Sequence, residues 1–165
     1  MRALREGLLS VVPAAVLPLL TWSELEVTVC GREEIDVELL KSNTEYDDDV
    51  SPEDEHIKWM WEILDEWGHE HRRAFLRFVW ARAHLPPTSK EFKQRFKVQA
   101  LVGDGPRNTP DKFLPKAHTC FFSINLPRYT NKETMAKRLM YAIYNCVEMD
   151  ADFRLTGNES TGWTL

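Results

Sequence analysis

The order of its hydrophobic periods constrains this chain more than any single residue does. Ile57, Met60, Trp61 and Leu64 recur at helical steps, and Phe75, Phe78 and Val79 form a second stripe of the same kind. Beyond the Pro86-Pro87 break the period drops to two. Phe96-Lys97-Val98-Gln99-Ala100 alternates as a half-buried strand does, and Phe121-Phe122-Ser123-Ile124-Asn125-Leu126 reads as a second, apolar strand stopped by Pro127. Met135, Leu139, Ala142, Ile143 and Cys146 then share one helix face. The sequence predicts an α+β fold in which helices pack on a short sheet.

Local signals set the boundaries. Residues 3–9 read as the end of a helix that stops near Pro13. Thr21-Trp22-Ser23-Glu24 has capping-box spacing and opens a helix with Trp22, Leu25, Val29 and Cys30 on one face, ended by Gly31. A further short helix is expected over Asp36–Lys41, so this part resembles the edge of a larger helical body. Ser51-Pro52-Glu53-Asp54 predicts another start, with serine as N-cap and proline at the first position. That helix closes at Gly68, and the next spans Glu70–Arg82 with Arg72, Arg73 and Arg77 outward. Trp59, Trp61, Trp67 and Trp80 are expected as packing residues. Gly103–Pro110 reads as a flexible loop, and Thr130-Asn131-Lys132-Glu133 as the capping box of the last helix. Tyr46-Asp47-Asp48-Asp49-Val50 is acidic and poor in helix formers. It is taken as a linker, although the residues alone favour a solvated loop without mechanical role.

Composition narrows the function. A chain of 165 residues suits one domain, or one with a fragment of another. The net charge of -5 and pI near 5.6 argue against a nucleic-acid partner. Three cysteines, Cys30, Cys120 and Cys146, form no CxxC pair, and the five histidines do not fall at ligand spacing with them. Neither a metal site, a disulfide framework nor a cofactor is expected, and a reducing, cytoplasmic setting fits best, with a nuclear one as a variant. The start, Met1 to Arg5 followed by the apolar run Leu8 to Leu20, imitates a signal peptide. Glu6, Pro13 and Pro18 interrupt it, and it is too short and broken for a membrane span, so no membrane role is expected.

The chemistry concentrates in Leu114-Pro115-Lys116-Ala117-His118-Thr119-Cys120-Phe121. A Pro/Gly-rich loop leads into it, and the thiol stands at the mouth of the apolar strand, where a loop can present it to solvent. Cys120 there is either a nucleophile with an imidazole beside it, or a small apolar filler at a strand end, the commoner fate of a free cysteine.

The same stretch, continued by Leu126-Pro127-x-Tyr129, resembles the active-site loop of HECT-type ubiquitin-protein ligases. The resemblance runs on through Thr21-Trp22-Ser23-Glu24-Leu25-Glu26, Cys30-Gly31, Glu34-Ile35-Asp36-Val37, Thr44-Glu45-Tyr46, Ile57-Lys58-Trp59-Met60-Trp61-Glu62 and Phe75-Leu76-Arg77-Phe78-Val79. It implies the end of the family's N-terminal lobe at 1–45, a hinge at 46–50 and the small C-terminal catalytic lobe with its tail at 51–165. It also implies that Cys120 takes ubiquitin as a thioester from a charged conjugating enzyme and passes it to a lysine of a protein substrate. His118 would favour the thiolate, deprotonate that lysine or simply hold a structural hydrogen bond. Thr119 would hold the loop or stabilise an oxyanion, Leu114, Pro115 and Phe121 would support the loop, and Leu126 and Pro127 would meet donor ubiquitin. The conjugating enzyme would dock on the N-terminal lobe, most of which this sequence lacks. A non-catalytic remnant that binds ubiquitin or a partner ligase is the alternative, and a cysteine hydrolase is weaker because no His/Asn partner can be placed. Three departures stand out. Aspartates occupy the hinge where glycine is common, Ala81, Ala83 and His84 replace a Gly-x-Ser-Arg pattern, and Met149 replaces a phenylalanine, with Phe153 or Trp163 as substitutes.

Overall fold

Where the hydrophobic period changes, the chain passes from helices into a sheet. The computed structural model describes residues 2–13, 15, 17–30 and 34–145. Its helices are α1 (Arg2–Val11), α2 (Trp22–Cys30), α3 (Val37–Ser42), α4 (Glu55–Glu66), α5 (His69–Trp80), α6 (Asp104–Asn108) and α7 (Lys132–Asn145). Its strands are β1 (Thr44–Tyr46), β2 (Phe96–Ala100), β3 (Lys116–His118) and β4 (Ser123–Leu126). Cys146, Met149, Phe153, Trp163, Gly31 and the side chain of Cys30 lie outside the described part.

The strands lie in the order β1-β2-β4-β3, with β1, β2 and β4 parallel and β3 antiparallel to β4. This is the expected α+β class. Strand alternation sends Phe96, Val98, Ile124 and Leu126 to one face, where they are fully buried with Ile57, Met60, Leu64, Phe75, Leu76, Val79, Met135, Leu139, Ala142 and Ile143 of α4, α5 and α7. Each of these side chains larger than alanine contributes about 1.5–3 kcal/mol by leaving water. The opposite face is polar. Across it, Glu45, Lys97, Ser123 and His118 stand in one row and Gln99, Asn125 and Lys116 in the next.

Residues 46–50, expected as the hinge, make several contacts in this structure. Tyr46 ends an edge strand, its hydroxyl accepts the Trp61 indole N–H at 3.0 Å, the Asp47 N–H reaches Val98 O at 3.1 Å, and Val50 is buried. Ile35, Val37 and Leu40 belong to the same core, so the packing is continuous from Ile35 onward. The alternation in Thr44-Glu45-Tyr46 was too short to announce a strand; pairing with β2 creates it.

Arg72, expected outward, turns back instead. Its guanidinium donates to Leu64 O and Asp65 O at 2.8 Å each, capping the end of α4, and to Ile35 O at 3.3 Å. Its planar fork spans acceptors that a single ammonium cannot. Arg72→Ala is expected to lower unfolding stability by about 2–3 kcal/mol, with Arg72→Lys recovering only part, as read by urea denaturation. Equal stability of the alanine variant would show that these carbonyls do not need the fork.

The start signals divide. The Thr21 box forms as expected, with Thr21 N–H on Glu24 Oε2 at 2.7 Å and Glu24 N–H on Thr21 Oγ1 at 3.2 Å. At α3 the cap is Asp36, which accepts from Leu39 N–H at 3.0 Å. Ser51 to Asp54 instead makes a separate turn in which Asp54 Oδ2 accepts from Ser51 N–H, and α4 begins three residues later than the serine cap implied. The box at Thr130 is also displaced. Asn131 Oδ1 caps Thr134 N–H at 2.8 Å, while the Thr130 hydroxyl and N–H both go to Asp111. Those two bonds hold the Asp111 carboxyl below its usual range. The expected flexible loop contains α6, with Gly105 so close to the Phe113 ring that a Cβ would sit 2.6 Å from it.

Ala81 explains one departure in the sequence. It ends α5 in the left-handed region, φ 57°, the conformation a helix-ending glycine adopts. An L-residue is strained there and the side chain is exposed. Ala81→Gly is expected to raise unfolding stability by about 0.5–1 kcal/mol, measured as a higher urea midpoint. A lower midpoint would mean that the extra freedom of glycine in the unfolded chain outweighs the relieved strain.

On α2, Trp22 is 80% and Val29 73% exposed, so the predicted apolar face is open. Among the described residues, no helix is long and apolar enough to cross a membrane.

Candidate functional site

The Cys120 stretch is built as a hairpin with an irregular corner. β3 ends at His118, Thr119–Phe121 makes one 3-10 turn closed by Phe122 N–H on Thr119 O at 3.4 Å, and Phe122 then takes a left-handed conformation, φ 45° and ψ 57°. Only after this does β4 begin. The cysteine is therefore on the turn ahead of the strand, not on the strand itself. Its thiol is exposed. Strand alternation stops at His118, so it no longer sets the direction of His118 relative to Cys120.

The left-handed residue is a phenylalanine because its ring is held. Phe122 is fully buried, stacked on Trp80 with centroids 4.0 Å apart and planes 9° off parallel, and it meets Phe96 at 5.1 Å. Trp80 stacks on Phe92 at 6.2 Å from its own centroid and carries the Arg82 guanidinium 4.4 Å above it. The Lys97 N–H also donates to Phe122 O at 2.9 Å. Packing of this kind offsets the roughly 1–2 kcal/mol cost of a left-handed L-residue. Phe121, expected as a loop support, is 67% exposed. The turn shifts the side-chain phase by one residue, and the support falls to Phe122.

The approach to β3 is anchored from the far side. Pro115 is buried and Leu114 half-buried. The Tyr129 hydroxyl donates to Phe113 O at 2.8 Å, and burial pushes that phenol well above its usual range. Arg138 Nε donates to Asp111 O at 2.8 Å. The tyrosine two residues past Leu126-Pro127 thus fixes the loop that leads to the cysteine.

His118 is exposed on the polar sheet face, in the row with Ser123 and Lys97. Among the described residues, no hydrogen bond joins it to Cys120 or to Thr119. The Thr119 hydroxyl is likewise unbonded there, and the contribution of Thr119 to the turn is its carbonyl. A shallow cavity of about 320 Å³ lies beside the turn, lined by Gln94, Lys97, Gln99, His118, Phe121 and Ser123. The Gln94 carboxamide reaches Cys120 O at 3.5 Å. Sequence reading did not single out Gln94, Lys97 or Gln99. The alternation of β2 places Lys97 and Gln99 on the polar face, but only the sheet order brings that face to the cysteine. Among the described residues, no cluster of His, Cys, Asp or Glu could hold a metal ion.

Comparison with known proteins gives the family. A family profile described as HECT-domain (ubiquitin-transferase) matches residues 1–152. This chain belongs to the HECT family. It is 43% identical over 151 residues to the E3 ubiquitin-protein ligase HERC2 of Homo sapiens, a match covering 91% of the chain and 3% of that protein. To the E3 ubiquitin-protein ligase pub1 of Schizosaccharomyces pombe it is 36% identical over 149 residues, covering 86% of the chain and 18% of the relative. To UPL2 of Arabidopsis thaliana, also an E3 ubiquitin-protein ligase, it is 34% identical, with 88% and 4% covered. The HECT chain described here therefore spans a small part of the length of these relatives. Within a HECT ubiquitin-transferase domain, an exposed cysteine on a rigidly supported turn is the feature that most needs a chemical account.

Proposed function

We propose that this HECT chain transfers ubiquitin through a thioester on Cys120. The exposure of the Cys120 thiol, on a turn whose next residues are locked into the core, is the observation that carries the reading. The thiolate attacks the activated C-terminal carbonyl of ubiquitin, the C–S bond forms and the donor thiol leaves. A substrate lysine amine then attacks that carbonyl, the C–S bond breaks and the Cys120 thiolate departs, while the amine loses its proton to solvent or to a base. Sulfur suits both halves, since its thiolate is a good nucleophile and its acyl derivative still acylates an amine. His118 is the nearby candidate base. Charged conjugating enzyme, ubiquitin and a lysine-bearing protein are the partners this reading requires, in the cytoplasm or nucleus. The division into the end of an N-terminal lobe at 1–45, a hinge at 46–50 and a catalytic lobe from 51 onward belongs to the same proposal.

Ubiquitin supplied as a thioester of a small thiol bypasses the conjugating enzyme and tests the step directly. The expected result is one ubiquitin-sized adduct, removed by excess thiol and mapping to Cys120. An adduct confined to Cys30 or Cys146, or none at all, would sink the assignment.

A further inference from the structure

Acyl transfer from a thioester passes through a tetrahedral oxyanion, and a donor fixed beside the reacting carbon lowers that barrier. Thr119 is the donor the sequence suggests, but the cavity beside the Cys120 turn is lined by Gln94, Lys97, Gln99, His118, Phe121 and Ser123, and neither Thr119 nor Cys120 is among them. The carboxamide groups in that lining are Gln94 and Gln99. Gln99 donates to Asp47 Oδ2 at 3.0 Å across the sheet face, and Lys97 is drawn toward Glu45 at 3.9 Å. Gln94 has only the long 3.5 Å contact with the carbonyl of Cys120 itself, which costs little to give up.

The backbone that carries it is anchored on both sides. Gln94 sits in the segment between Phe92 and β2, and both ends of that segment grip the cysteine turn. Phe92 and Phe122 each stack on the Trp80 indole, and Lys97 N–H binds Phe122 O. The segment that bears the amide and the turn that bears the thiol thus share one ring stack, a support that keeps a donor near the reacting centre.

We propose that the Gln94 carboxamide is the oxyanion donor of this site, binding the acyl oxygen of the thioester on Cys120. The proposal rests on the reading of Cys120 as acyl carrier. When the lysine amine adds to the acyl carbon, the carbonyl π pair moves onto oxygen, and Gln94 Nε2–H donates a hydrogen bond to that oxyanion. The pair returns as the C–S bond breaks, expelling the Cys120 thiolate, and the amine proton passes to solvent.

The test preloads the chain from the small-thiol thioester of ubiquitin, removes the donor and follows single-turnover discharge to free lysine. Gln94→Glu keeps the shape and removes the donor, Gln94→Ala removes the group, and Thr119→Val removes the competing hydroxyl. Alkylation of Cys120 by iodoacetamide reports whether turn and thiol are intact. Both Gln94 variants are expected to discharge on the order of 100-fold more slowly, with alkylation unchanged and Thr119→Val near wild type. Discharge of Gln94→Ala at the wild-type rate would overturn the proposal, as would alkylation falling in step with discharge, or the loss appearing in Thr119→Val instead. Failure of the wild-type chain to load at all is a different result: it would overturn the Cys120 reading, and this one with it.

Discussion

Cys120→Ala is expected to abolish the thiol-sensitive ubiquitin adduct completely, and Cys120→Ser to form an adduct slowly that excess thiol no longer removes. The difference is chemical. A serine hydroxyl at neutral pH is a far weaker nucleophile than a thiolate, and the ester it forms resists thiol exchange. Because the Cys120 side chain is exposed, neither substitution removes packing, and both variants should unfold within about 0.5 kcal/mol of the parent. Mass-mapped adducts and a urea titration check the two halves together. Adduct formation by the alanine variant at the parent rate would place the acyl carrier elsewhere. A large loss of stability would mean that the thiol is a packing residue after all, the bland alternative the sequence left open.

Phe122→Ala carries the largest expected effect on the fold. The ring is fully buried between Trp80 and Phe96, so truncation forfeits its transfer energy and leaves a cavity, together about 3–5 kcal/mol. The left-handed backbone remains, now with less packing to hold it. Against a typical stability of about 5–15 kcal/mol this is a large fraction, and the urea midpoint should fall sharply. Phe121→Ala is the control. The two phenylalanines are adjacent in sequence, yet Phe121 is 67% exposed and its truncation should cost no more than about 0.5 kcal/mol. Similar losses for both would refute the turn geometry. Phe122→Ala should also loosen the Cys120 turn, slowing acyl transfer even under conditions where the chain stays folded.

The contrast between these two residues shows where sequence reading stops. As a continuous apolar run, Phe121 to Leu126 looks like a strand throughout, and strand phase would leave either ring as the support. A 3-10 turn followed by one left-handed residue breaks that phase. Nothing in a Thr-Cys-Phe-Phe string announces the break, because phenylalanine is a poor candidate for the left-handed region until a stack compensates it. Ala81 is a similar case, since alanine gives no sign of a conformation that α5 and the following chain impose. The displaced caps have the same origin. Ser51 and Thr130 satisfy the local spacing rules, but Asp54 and Asp111 compete for their backbone N–H groups, and Asp111 reaches Thr130 from across a loop.

Periodic burial, by contrast, was legible. Ile57, Met60, Trp61 and Leu64, Phe75, Phe78 and Val79, and Met135, Leu139, Ala142 and Ile143 are buried as their spacing requires, because a helix stripe or a strand face is a local repeat that any core must satisfy. The sequence alone also marked out Cys120, its neighbours and the HECT family, through ordered motifs spread along nearly the whole chain. Tertiary structure decided the remainder. It joined Thr44–Tyr46 to the sheet as an edge strand, folded Arg72 back onto three carbonyls, and stacked Phe92 and Phe122, which flank Gln94 and Cys120, on the same indole. Each of these depends on groups far apart in the chain, and contacts of that kind are set by packing rather than by neighbouring residues.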